Sequence, residues 1–224
     1  MNTLSTIAVT GPDAFEFLQG QLTNDLHRLG AEDEILAAWC NPKGRVIWFG
    51  TVARIDDGYA MSVLADMAGD IVRRLTLFRF RSRVDFEIVD EGRTVEPSFQ
   101  IDNGFPWIGA EQSEQFTPHM LNLDLLDAVS FDKGCYTGQE IVARTHYKGA
   151  TKRRTLRFAC DGAVAAGDKV MLGERAVGEV LNVAGSVLLA VVPTDAVDGL
   201  TAGAVTLRHR PLPYLEDVSR SGSR

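Results

Sequence analysis

The sequence predicts an α+β fold, with helices packed on an antiparallel sheet and a small β-barrel at the C-terminal end. Three observations carry this prediction. Alternating apolar runs joined by tight turns recur between Ile35 and Leu64. The stretch after Asp66 switches to helical spacing, and short strand-like segments beyond Ala150 alternate with Gly and Asp turns.

A strand is expected from Leu4 to Thr10, and Gly11-Pro12-Asp13 then starts a short helix bearing Phe15, Phe17 and Leu18 that ends near Gly20. The polar run Gln21, Thr23, Asn24 and Asp25 either lines a cavity or caps the next turn, with capping preferred for Thr23 and Asn24. Ile35 to Cys40, Val46 to Ile55 and Tyr59 to Leu64 form a meander, turning at Asn41-Pro42-Lys43-Gly44 and at Asp57-Gly58. Met67, Ile71, Val72, Leu75 and Phe78 mark one face of a helix whose Arg73, Arg74 and Arg79 are expected in solvent. Val84 to Val89 is a further strand. From Asp90 to Pro118 the chain reads as irregular, with Gly104-Phe105-Pro106-Trp107 able to bend around a site and Trp107 read as packing. Barrel strands are expected at Thr155 to Ala159, Lys169 to Leu172, Ala176 to Val183, Val187 to Val192 and Ala204 to Arg208. The domain boundary is expected near Lys148 to Lys152, giving units of residues 1–150 and 151–224, and a disordered polar tail is expected at Ser219 to Arg224.

The net charge of -7 argues against nucleic-acid or anionic-membrane binding through the whole surface. A local basic run remains: Arg144, His146, Lys148, Lys152, Arg153, Arg154 and Arg157. Direct tRNA binding is not expected. Cys40, Cys135 and Cys160 are too widely spaced for Cys-x-x-Cys chelation, so neither a disulfide framework nor a resident metal is expected, and a reducing cytoplasm fits. With no leader-like start and no apolar run of membrane-spanning length, the chain is expected to be soluble and unprocessed.

The octapeptide Lys133-Gly-Cys-Tyr-Thr-Gly-Gln-Glu140 is the most informative segment. Lys133 lies two residues before Cys135, and the helix formers from Gln139 onward place the thiol just before a helix N-terminus; both would favour a thiolate. The alternative is a buried, inert cysteine.

Three segments together resemble the YgfZ family, folate-binding proteins related to the glycine-cleavage T-protein. They are Phe17-Leu18-Gln19-Gly20-Gln21-Leu22-Thr23-Asn24-Asp25, Pro42-Lys43-Gly44-Arg45 and the run from Ser130 through the octapeptide to Arg144. The resemblance spans about Thr10 to Tyr214. It implies a T-protein-like folate-binding core around a central tunnel, a C-terminal β-barrel, and a role for tetrahydrofolate in supporting iron–sulfur enzymes or assembly proteins, including those that thiolate tRNA. Longer members carry additional middle-domain sequence where this chain is brief, implying a tunnel that is more open or is completed by another chain.

The resemblance also assigns residues. Asp102, in Ile101-Asp102-Asn103-Gly104-Phe105-Pro106, matches the acidic residue that binds the pterin in T-proteins, although a turn cap is an equal reading. Lys43, Arg45 or Arg144 would meet the anionic glutamate tail. Tyr136, Gln139, Gln21, Thr23 and Asn24 are further folate-site candidates, and Cys135 with Lys133 the reactive pair. T-proteins carry a Gly-Gly-x-x-Asp-Asp pattern where this chain reads Lys43-Gly44-Arg45-Val46-Ile47-Trp48, so ordinary aminomethyl transfer is expected to be absent. The remaining readings are a non-catalytic adaptor for an iron–sulfur protein and a folate-dependent one-carbon transferase.

Overall fold

The computed structural model describes residues 1–31, 33–149 and 151–214; the tail expected to be disordered, Ser219 to Arg224, lies outside the described residues. Five antiparallel strands form the first sheet: β1 (Asn2–Thr10), β2 (Glu34–Cys40), β3 (Val46–Ile55), β4 (Gly58–Leu64) and β5 (Asp85–Val95), in the order β2-β3-β4-β1-β5. Alternation along the strands decides what each face meets. Ile7, Val9, Val52, Tyr59, Met61 and Val63 are buried in one core with α1 (Ala14–Gln21) and α2 (Ala68–Phe78). The intervening residues, including Leu4, Leu36, Thr51, Ser62 and Leu64, open onto a cavity.

The second unit is a closed barrel of β6 (Arg153–Cys160), β7 (Lys169–Leu172), β8 (Arg175–Ala184), β9 (Val187–Pro193), β10 (Leu200–Ala202) and β11 (Val205–Arg210), in the order β10-β11-β6-β9-β8-β7 with β10 returning to β7. Closure leaves no free edge. Sheet and barrel share a hydrophobic cluster in which Ala38, Cys40 and Val46 meet Leu181, Leu189 and Val191 through Ile101, Leu121, Leu123 and Val142. The connecting chain, with α3 (Pro97–Asp102) and α4 (Gln139–Lys148), therefore supplies packing between the two units.

Most expected elements are present. The irregular stretch after Asp90 contains the end of β5 and the short helix α3, begun by Pro97, and the barrel has one strand, β10, that the pattern did not mark. Arg73 is mostly exposed as expected, but Arg74 is not a free surface arginine: it bonds Asp70 at 2.6 Å and Glu114 at 3.1 Å, tying α2 to the segment that crosses β3. Among the described residues no helix is long and apolar enough to cross a membrane, and no group of three metal-ligating side chains occurs.

Candidate functional site

The segments singled out in the sequence fold against one another. Gly44 (φ +67°) and Gly138 (φ +83°) meet back to back: a Cβ on Gly138 would lie 2.5 Å from the Asn41 carbonyl oxygen, and one on Gly44 would lie 2.9 Å from the Ile141 Cβ. Only glycine combines the left-handed backbone with that approach. Asn41 holds the turn together, its side-chain oxygen accepting from the amides of Lys43 and Arg45 at 2.9 and 3.0 Å. Gln21 Oε1 accepts from the Trp39 indole at 3.2 Å and from the Thr137 hydroxyl at 3.3 Å, linking α1 and β2 to the octapeptide.

Within this cluster Cys135 is exposed, while Cys40 and Cys160 are buried, and burial pushes the Cys40 thiol up to about 12. Cys135 is therefore not a buried cysteine. Lys133 is itself buried. Its ammonium donates to the carbonyls of Gln19 (2.8 Å), Leu22 (2.7 Å) and Asn24 (2.9 Å), and burial draws its pKa down to about 8. Those bonds use all three ammonium protons, leaving none to donate to the thiol. Tyr136 is buried with the Lys133 ammonium 5.3 Å from its ring centroid, and burial pushes its phenol up.

Thr23 and Asn24 are fully buried and neither caps a helix nor lines the cavity. Thr23 Oγ1 donates to the Ala128 carbonyl and accepts from the Ala38 amide, and Asn24 Nδ2 donates to the carbonyls of Leu36 and Asp127. The cap is Asp25, which accepts from the His27 amide at the 3₁₀ turn Leu26–Gly30.

The cavity lies elsewhere, on the face of the sheet away from α1 and α2, and has a volume of about 370 Å³. Register builds its floor: Leu4 of β1 stands opposite both Leu64 of β4 and Arg93 of β5, and Leu36 of β2 stands opposite Thr51 of β3. Trp48, Phe49, Phe99, Phe105 and Trp107 give it aromatic walls. Gly50 admits the Trp48 indole, since a Cβ there would lie 2.8 Å from that ring, and the indole donates to the Ser62 carbonyl at 3.1 Å.

The barrel fixes the opposite wall. Asn182 of β8, fully buried, accepts from the Trp107 amide at 3.1 Å and donates to the Trp107 carbonyl at 3.0 Å. No motif marks Asn182; a lone amide inside the apolar run of β8 is its one signal in the sequence. Trp107 lines the cavity in addition to packing.

Asp102 does not line this cavity. It is drawn to the barrel by Arg157, which bonds its carboxylate at 3.1 Å and its carbonyl at 2.8 Å. Its neighbours Gln100, Phe105 and Pro106 do line the cavity. Lys43, Arg45, Tyr136, Gln139 and Arg144 are also outside the lining, as are Cys135 and Lys133. Arg45 donates to the Gln115 carbonyl at 2.7 Å.

One further group has a pH consequence. His119 is 2% exposed, its ring nitrogens have no hydrogen-bond partner among the described residues, and burial holds its pKa below the usual histidine value, with Asp124 opposing the shift and Arg154 and His146 adding to it. The unfolded chain binds that proton first as pH falls below about 6.5, so this histidine withdraws stability between neutral pH and its lower folded pKa. Chemical denaturation at pH 7 and pH 5 should show a smaller acid loss in His119→Phe than in the native chain; equal losses would refute this contribution.

Residues 152–215 match the family model described as the CAF17 C-terminal beta-barrel domain. Curated relatives include the tRNA-modifying protein YgfZ of Cronobacter sakazakii, 27% identical over 92% of this chain and 89% of that protein. The protein of the same name from Escherichia coli O45:K1 is 28% identical with the same coverages, and that from Hamiltonella defensa is 29% identical over 68% of this chain and 67% of that protein. The fold resembles the crystal structure of the glycine cleavage system aminomethyltransferase T from Bartonella henselae, with a TM-score of 0.70, 13% identity, and coverage of 95% of this chain and 84% of that one. With its interlocked motifs, its five-stranded sheet and its closed barrel, the chain is similar in sequence to the curated YgfZ proteins and in fold to the aminomethyltransferase.

Proposed function

We propose that the chain is a tetrahydrofolate-binding accessory factor that supports iron–sulfur enzymes and, through them, tRNA modification, with Cys135 as its reactive thiol. The observation that carries the folate part is the aromatic cavity of about 370 Å³ on the open face of the sheet. Its volume lies in the range of small-molecule sites, and five aromatic side chains suit a flat ring system. Bound tetrahydrofolate would supply one-carbon carrier chemistry; the chain's own residues stack on it, orient it and exclude water. The tRNA link rests on the names of the curated relatives.

Ile47 and Trp48, both buried, stand where T-proteins carry their acidic pair, which favours an accessory factor over an aminomethyltransferase. The thiol is a second site. Cys135 is exposed and lies outside the cavity lining, so this reading has a partner reach the thiol from solvent.

Titration calorimetry with tetrahydrofolate tests the cavity. The native chain and Cys135→Ala should bind alike, while Trp107→Ala should bind at least roughly tenfold more weakly, about 1.4 kcal/mol. Native-like binding by Trp107→Ala would move the folate site away from this cavity. Expression of Cys135→Ala in cells lacking the native protein should leave tRNA thiolation defective, and full restoration would remove the thiol from the function.

A further inference from the structure

The cavity carries two opposite charges that do not pair. Glu34 and Arg93 both line it, both are exposed, and neither side chain makes a hydrogen bond or ion pair among the described residues. Their separation follows from topology. Glu34 belongs to β2 and Arg93 to β5, the two edge strands of the sheet, and Glu34 shares a row with Ala53, Ala60 and Ala8, whereas Arg93 stands opposite Leu4, so four interstrand steps of about 4.8 Å and an offset of about 13 Å along the strands put their backbones roughly 23 Å apart along the floor. Between them run Leu36, Thr51, Leu64 and Leu4, under the aromatic side chains. The result is a slot with an acceptor at one end, a guanidinium at the other and an apolar middle.

We propose that Arg93 binds the anionic tail of an elongated ligand whose flat, N–H-bearing ring lies toward Glu34, so that the two charges set the direction of binding. This inference rests on the folate reading, in which the tail is the glutamate moiety and the ring is the pterin. The chemistry matches at both ends. A planar guanidinium offers two parallel N–H donors to a carboxylate, and a carboxylate accepts two parallel N–H bonds from the amino-pyrimidinone edge of a pterin. The middle of the ligand needs no polar partner beyond the open edge of the slot. Lys43, Arg45 and Arg144, the cations that the resemblance assigns to the tail, are absent from the lining. Glu34 replaces Asp102, whose carboxylate is bonded to Arg157.

Quenching of cavity tryptophan fluorescence measures binding of tetrahydrofolate and of a tail-less tetrahydropterin to the native chain, Arg93→Gln and Glu34→Gln. Arg93→Gln should weaken tetrahydrofolate roughly fivefold and leave the tail-less pterin unchanged, a difference that raised salt should shrink. Glu34→Gln should weaken both ligands. Tetrahydrofolate binding to the native chain that is insensitive to Arg93→Gln would overturn the inference while leaving the folate reading intact. Failure of the native chain to bind either ligand would overturn both. Both positions are exposed, so unchanged thermal melts are expected to accompany the binding effects.

Discussion

Lys133→Met should melt roughly 10 °C below the native chain, because it removes the donor that satisfies three inward-facing carbonyls without providing another. The ammonium holds the turn from Gln19 to Asn24 in the way a bound cation would, drawing three oxygens to within 2.7 to 2.9 Å. With its pKa drawn to about 8, it remains mostly protonated at neutral pH. Methionine matches the length and apolar stem of lysine, so the substitution opens little cavity and isolates the polar loss. Each buried carbonyl left without a donor costs about 1–3 kcal/mol, and partial access of water lowers the sum to about 3–4 kcal/mol. A melting temperature unchanged in Lys133→Met would mean that the turn closes without the ammonium. The consequence for chemistry is specific: loss of function in such a variant would report a disordered motif cluster, and it should be read beside Cys135→Ala, which touches the thiol alone.

The strands and helices were legible because their signals are local. Alternation marked β1 to β4, the helical spacing after Asp66 marked α2, and turn residues marked most of the barrel. The three residues of β10 are too few to show a period, and the six of α3 are little better. The site was legible only in part, for a physical reason. A cavity floor is built from alternate residues of separate strands, and which of them share a row depends on register, as with Arg93, Leu4 and Leu64. The motif-rich segments drew attention to Lys43, Arg45, Asp102 and Arg144, whereas the cavity takes its charges from Glu34 and Arg93, which no motif marks. Polar side chains that bond distant backbone carried the opposite ambiguity: Thr23 and Asn24 look like caps in sequence because their partners, Leu36, Ala38, Asp127 and Ala128, lie in other segments.

The two glycines of the octapeptide should behave as differently as their surroundings. Gly138 has φ +83°, and a Cβ there would press to 2.5 Å from the Asn41 carbonyl oxygen and 3.2 Å from the Gly44 backbone. Neither partner is a flexible side-chain end. Alanine therefore meets the left-handed backbone penalty of about 1–2 kcal/mol together with a steric cost of similar size, and Gly138→Ala should lose about 2–4 kcal/mol. At Gly134 a Cβ would meet nothing within 4 Å, and the backbone there is not left-handed, so Gly134→Ala should lie within about 0.5 kcal/mol of the native chain. Because the Asn41 turn and the start of α4 meet at Gly138, its substitution should also change the rate at which Cys135 reacts with a thiol-specific reagent. Gly134→Ala provides the control beside the same thiol. If both variants melted like the native chain, the contact between the Pro42-Lys43-Gly44-Arg45 turn and the octapeptide would not be a structural requirement. If only Gly138→Ala fell, the spacing of glycine in this motif would follow from one backbone contact rather than from the chemistry of the thiol.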